Sequence, residues 1–221
     1  MTPAPIEIET GPQPRASILI LHGLGASGDD FVPIAEQLQL AQVGPVRFVF
    51  PHAPVQPVSI NGGYAMPAWY DILPGTDLAL REDEPGLRRS RATVEALLAH
   101  EKARGIAARR IVLAGFSQGC AMALLSGLRH AETLAGIVGL SGYLPLAAST
   151  AAEQHPANQA TPIFLAHGRQ DGVVPLARAA ASRDALTALG HAVEWHEYPM
   201  EHSVCPAEIA DLQRFLLRVW A

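Results

Sequence analysis

Short runs that are apolar almost from end to end recur along this chain, and helical patterns separate them. ASILIL, VRFVF, IVLAGF, LAGIVGL and PIFLA leave little polar surface for water on either side. A strand of that kind must be covered on both faces, and parallel sheets flanked by helices supply such cover. The intervening stretches carry the helical period: DDFVPIAEQLQL, residues 85–104, the run after Ser117, PLARAAASRDALTALG ending at a Gly190 C-cap, and a last helix opened by Pro206. IEIE reads as a short opening strand and AVEWHEYP as a late one. Residues 145–162 read as Ala-rich and irregular. The pattern therefore predicts an α/β fold with a mostly parallel central sheet and helices on both faces. In such folds ligands gather beyond the carboxyl ends of the strands, and that rule sorts the candidate residues.

Composition narrows the function classes. The chain has 221 residues, no internal repeat and no linker between two cores, so a single domain over 1–221 is expected, with a Pro- and Gly-rich excursion at about 53–75. A net charge of −5 without long basic runs leaves no electrostatic footprint for nucleic acid. Two cysteines, Cys120 and Cys205, form no Cys-x-x-Cys pair, so neither zinc nor redox chemistry is indicated, and free thiols are expected. The first fifteen residues lack a basic start and an apolar run, and no stretch approaches a membrane span. The expectation is a cytoplasmic protein without stable membrane insertion.

Two glycine motifs compete for the chemistry. Gly23, Gly25 and Gly28 fit G-x-G-x-x-G between a strand and a helix, the signature of a dinucleotide loop. That reading needs an acidic residue at the end of the second strand, and VRFVFPHAP has none. Asp29 and Asp30 would also compete with a pyrophosphate for the amides of the helix start. In a hydrolase sheet the same loop offers a backbone N–H to an oxyanion.

The second motif is LAGFSQGCAM, where Gly115, Ser117 and Gly119 fit G-x-S-x-G. Chance alone gives this pattern in roughly one chain of this length in ten. Its setting is more specific: a strand precedes Ser117 and a helix follows, as a nucleophile elbow requires. A serine nucleophile needs a base and an acid to orient that base. His130 lies on the following helix, His155 in the irregular stretch, His191 at the opposite sheet edge and His196 inside a strand. His202, in YPMEHSVCP, follows a strand at the correct edge. Asp171, in LAHGRQDGVVP, does so too. His167 also ends a strand, but an acid following it would invert the order Ser, acid, His. Each feature alone has an ordinary structural explanation; three strand ends delivering complementary groups in the required order point to Ser117, Asp171 and His202 as a catalytic triad.

Taken together, LHGLGASGDDF, FPHAPVQPVSINGGYAMPAWYDI, GFSQGCAMAL, HGRQDGVVP and YPMEHSVCPAEI resemble the carboxylesterase and acyl-protein thioesterase family of α/β-hydrolases. The resemblance implies an α/β-hydrolase fold, a serine hydrolase mechanism without a cofactor or metal, and an oxyanion hole from the backbone N–H groups of Leu24 and Gln118. It implies carboxylic ester hydrolysis of a small-molecule or lipid-like acyl substrate, and leaves thioester or lysophospholipid cleavage on the same triad open. Two departures stand out: Cys120 occupies a position where the family often has Gly, and Met200-Glu201 precede His202 where a Gly-rich turn is common. The apolar excursion, with Met66, Trp69, Tyr70, Ile72 and Leu73, either packs on the core or walls an acyl groove; Trp69 and Leu73, with Val173 opposite, are the substrate-binding candidates. A dimer surface on that loop, and so a homodimer, stays open.

Overall fold

The computed structural model describes residues 3–75 and 82–221. Its main sheet has seven strands: β1 (Ile6–Glu9), β2 (Ala16–Leu21), β3 (Val46–Phe50), β6 (Ile111–Phe116), β7 (Gly136–Leu140), β8 (Ile163–Gly168) and β9 (Val193–Tyr198). Their spatial order is β1-β3-β2-β6-β7-β8-β9. β1 runs antiparallel to β3, and every other neighbouring pair is parallel. Alternate side chains feed the two faces. Leu19, Leu21 and Leu113 pack with α2 (Glu84–Ala103), α3 (Gln118–Arg129) and α5 (Leu176–Ala188); Ile18, Ile20, Val112 and Ala114 pack with α1 (Val32–Gln37) and α6 (Pro206–Val219). α3 lies between the sheet and α2, and all its residues are buried, which explains why its sequence has almost no polar face.

Three stretches differ from the sequence pattern. The first helix is shortened: residues 28–31 form a 3₁₀ turn, and α1 stops at Gln37 as Leu38 turns extended. The excursion contains an antiparallel hairpin, β4 (Val55–Val58) with β5 (Tyr64–Pro67), its turn at residues 59–63. Residues 145–162 hold a short helix, α4 (Ala147–Glu153), followed by a 3₁₀ turn. α2 begins one residue before the expected 85, and Asp83 caps it by accepting from the Gly86 N–H at 3.0 Å. No helix among the described residues is long and apolar enough to cross a membrane.

Candidate active site

The turn at Ser117 is built by close approach. β6 ends at Phe116 and α3 begins at Gln118, which forces Ser117 to φ 55° and ψ −115°. A non-glycine residue there is strained, and its neighbours must hold it. Two glycines make this geometry attainable: a Cβ on Gly119 would run into the Leu21 carbonyl, and one on Gly115 into the Gly119 backbone. The Ser117 N–H donates to the Leu140 carbonyl at 2.9 Å, tying the turn to β7. The result projects Ser117 from the carboxyl edge of the sheet, 9% exposed.

Asp171 follows β8 and His202 follows β9. Their loops are stitched together: the Arg169 N–H donates to the Tyr198 carbonyl at 2.8 Å, and the Gln170 N–H to the Met200 carbonyl at 3.0 Å. The close approach that a Gly-rich turn before His202 would permit comes from the other side, because a Cβ on Gly168 would collide with the Met200 and Glu201 carbonyls. His202 Nδ1 lies 2.7 Å from Asp171 Oδ2, and His202 Nε2 lies 2.9 Å from Ser117 Oγ. A carboxylate accepts, so Nδ1 carries the proton and the Nε2 lone pair faces the serine hydroxyl. The Phe116 ring, 4.8 Å from the imidazole centroid to centroid, backs it from below.

The carboxylate is itself held from several directions. Its Oδ1 accepts from the Val173 and Val174 N–H groups, both at 2.8 Å, and its side chain is fully buried. His167 Nε2 donates to the Val174 carbonyl at 2.8 Å and lies 3.3 Å from Asp171 Oδ2. Burial pushes the His167 pKa down, which favours the neutral ring. The histidine excluded from the triad by chain order thus approaches the same carboxylate oxygen that His202 uses.

A second set of buried contacts fixes the excursion over the elbow. The Gln118 amide spans two residues: Oε1 accepts from the Trp69 N–H at 3.0 Å, and Nε2 donates to the Tyr70 carbonyl at 2.9 Å. Trp69 Nε1 donates to the His22 carbonyl at 2.8 Å. His22 Nε2 accepts from the Ala53 N–H at 3.0 Å, so its proton is on Nδ1, which donates to the Gly23 carbonyl at 2.7 Å. Burial lowers the His22 pKa, consistent with this neutral tautomer. Among the described residues, neither the Leu24 N–H nor the Gln118 N–H is spent on a protein acceptor.

Two cavities meet at Ser117. One, of about 430 Å³, is lined by Leu24, Phe31, Ile34, Phe116, His202 and Val204 among others. The other, of about 220 Å³, includes Tyr70, Ile72, Gln118, Tyr143, Pro175 and Arg178. Leu24, Ser117 and Val173 belong to both, and Val173 is 69% exposed. The structure therefore places Val173 beside the serine but not the other two groove candidates. Trp69 is 1% exposed and lies beneath the site, because its indole is committed to His22. Leu73 is half-buried and outside both linings. Tyr70 and Ile72, neighbours of Trp69 in the excursion, are the residues that face the cavity. Composition marked this loop as apolar but could not say which side chains turn inward. Nothing in the local sequence flagged Tyr143 or Arg178; only the packing of β7 and α5 brings them here.

Within the glycine loop at 23–28, the amides of Gly25, Ala26, Ser27 and Gly28 are spent on protein acceptors. The Gly25 N–H donates to the Pro67 carbonyl at 2.8 Å, and the Ala26 N–H to Gly23 at 3.3 Å. The Ser27 N–H and hydroxyl donate to Asp30 and Asp29, both at 2.8 Å. These are the groups a pyrophosphate would need. Cys120 and Cys205 are free thiols. Cys120 is 1% exposed, and burial pushes its thiol up to about 12. Gly139 and Gly142 make room for it: a Cβ at either would meet the Cys120 side chain.

The sequence matches the Phospholipase/Carboxylesterase family over residues 4–220. It is 41% identical over 205 residues to acyl-protein thioesterase 1 of Yarrowia lipolytica, covering 91% of this chain and 90% of that protein. The structure superposes on Arabidopsis thaliana SOBER1 with a TM-score of 0.88 at 30% identity, covering 94% of this chain and all of that one. It superposes on Zea mays acyl-protein thioesterase 2 with a TM-score of 0.83 at 30% identity, covering 98% and 99% of the two chains. The sheet and its helices are thus those of an α/β-hydrolase fold.

Proposed function

Because this chain belongs to the phospholipase/carboxylesterase family and is a serine hydrolase of acyl esters or thioesters, we propose that Ser117, His202 and Asp171 carry out the hydrolysis as a triad. The observation behind this reading is the continuous hydrogen-bond path from Ser117 Oγ to His202 Nε2 at 2.9 Å and from His202 Nδ1 to Asp171 Oδ2 at 2.7 Å. Ser117 Oγ attacks the acyl carbonyl as His202 Nε2 takes its proton, and Asp171 stabilises the imidazolium. The oxyanion forms against the Leu24 and Gln118 N–H groups, each contributing about 3 kcal/mol. His202 passes its proton to the departing alcohol or thiol, and water then releases the acid from the acyl-enzyme by the same path. The buried clamp on Asp171 keeps the imidazole in one tautomer and orientation throughout.

A carboxylesterase is the primary activity in this reading. The acyl-protein thioesterase names of the relatives at about 40% identity favour thioester substrates on the same machinery. Ser117→Ala should lower kcat on a short chromogenic ester by about 10⁶-fold, the scale of nucleophile removal in other triads. Activity retained in the purified variant would sink the mechanism.

A further inference from the structure

The two cavities at Ser117 differ in which of them His202 reaches. His202 lines the 430 Å³ cavity and not the 220 Å³ one. In the proposed reaction His202 must hand its proton to the departing oxygen or sulfur, so the leaving group occupies the cavity that His202 faces. The acyl chain then extends into the narrower cavity. That cavity has walls of Leu24, Ile72, Val174 and Pro175, and Arg178 is its one charged lining residue among the described residues.

The Arg178 guanidinium sits over the Tyr143 ring, its Cζ 3.3 Å from the centroid. Stacking uses the face of the group; the guanidinium also hydrogen-bonds the Tyr143 side chain, and the rest of its five N–H donors remain for other acceptors. The one carboxylate within 4 Å of it among the described residues, Glu82, is 3.6 Å from Nη2, beyond hydrogen-bond length. Glu82 lines a further concavity with Leu146, which Arg178 also borders, and is occupied there, accepting the Leu146 N–H at 2.9 Å. Burial pushes its pKa up in spite of Arg178, as a loose pairing would leave it. The Tyr70 and Tyr143 hydroxyls lie 2.7 Å apart and share one hydrogen bond. Two hydroxyls carry two protons and that bond uses one, so a second O–H remains to donate. A largely apolar slot beside a nucleophile thus carries a cation and tyrosine hydroxyls in its lining.

We propose that this cavity takes acyl chains ending in a carboxylate, and that Arg178 selects them. The substrates are half-esters or half-thioesters of short dicarboxylic acids. A volume of 220 Å³ holds roughly seven heavy atoms at the ~30 Å³ of a water molecule, the size of the acyl group of a four-carbon diacid and about one atom short of a five-carbon one. Hydrolysis breaks the acyl C–O or C–S bond, adds the water oxygen to the carbonyl carbon, sends a water proton to the leaving atom and releases the free diacid. The proposal rests on the serine hydrolase reading.

The test compares mono-4-nitrophenyl glutarate with 4-nitrophenyl pentanoate, which share a leaving group and a chain length. Wild type should favour the glutarate by about tenfold or more in kcat/KM, the scale of one charge-assisted hydrogen bond. Arg178→Leu should lower that ratio by about tenfold, mainly through KM, and Arg178→Lys should keep part of it. A wild-type preference for pentanoate, or a ratio unchanged in Arg178→Leu, overturns the proposal. A 4-hydroxybenzoate pentanoyl ester puts the charge on the alcohol half; an Arg178-dependent gain there overturns the acyl-side assignment. Should the variants not fold, free glutarate must inhibit wild-type pentanoate-ester hydrolysis competitively and at least tenfold better than the pentanoate ion; equal inhibition overturns the proposal. A wild type inert to both esters removes the esterase reading as well, whereas one active on pentanoate and indifferent to the terminal carboxylate removes this inference alone.

Discussion

Glu208 stands in the first turn of α6, where the helix dipole favours an anion, yet it is fully buried and neither carboxyl oxygen has a hydrogen-bond partner among the described residues. Burial outweighs the nearby Cys205 N–H and raises its pKa from 4.5 to about 8. The folded chain therefore keeps this proton at pH values where the unfolded chain has lost it. Stability from this group is complete below about pH 4.5 and falls as pH rises towards 8, after which both states are ionised. Glu208→Gln should match wild type near pH 4.5 and exceed it increasingly up to pH 8, by up to a few kcal/mol, in urea unfolding followed across that range. A stability difference that does not change with pH would refute the burial account. Individual residues were legible where one topological rule could place them. Ser117, Asp171 and His202 each follow a strand, so chain order and sheet edge were enough to single them out. Arg178 owes its position to helix packing and has no local pattern that announces it, whereas His167 was legible at its strand end on β8 but not as a neighbour of the Asp171 carboxylate, which loop closure brings to it. Cys120 looked like a departure from the family. Its physical partner is the space at Gly139 and Gly142, two glycines distant in sequence.

At the scale of elements, the strand–turn–helix around Ser117 is set by backbone contact between β2, β6 and α3. Gly119→Ala should force the Leu21 carbonyl and the helix apart, with a loss of about 3 kcal/mol or more, typical of overpacking against a rigid backbone. Activity should fall with it even though every catalytic side chain remains. Thermal unfolding and ester turnover measured on one preparation check both effects; a variant with wild-type melting and turnover would contradict the close-approach account. The long parallel strands were legible because their apolar runs are continuous. The β4–β5 hairpin was not: its strands are short, exposed in part, and interrupted by Pro57, so no clean alternation shows. α4 was hidden by the prolines at either side, although its Ala-rich run carries strong intrinsic helix propensity. The first helix was overestimated because the polar-apolar period continues past Leu38, where the backbone has already become extended.

Across the whole molecule, one ionic cluster joins the start of the chain to its middle. Arg47 on β3 pairs with Glu9 on β1 at 2.9 Å and with Glu101 on α2 at 3.0 Å, while Arg104 reaches Glu7 at 2.6 Å and Glu101 at 3.1 Å. The Glu101 side chain is 1% exposed and that of Arg47 7%, so removing one partner leaves a buried charge. Glu101→Ala should cost about 3–5 kcal/mol in urea unfolding, and Glu101→Leu combined with Arg47→Met should recover most of it. A single variant as stable as wild type would show that the edge strand is held by other means. The same long-range view changes what Gln118 means. Its side-chain amide offers one acceptor to Trp69 and one donor to Tyr70, so the excursion and the elbow are joined by a single plug and socket. Anyone exchanging the 53–75 segment between related enzymes is moving half of that fitting. A chimera will seat the borrowed loop only if position 118 still presents both halves of the amide, which makes this residue the compatibility key for transplanting specificity within the fold.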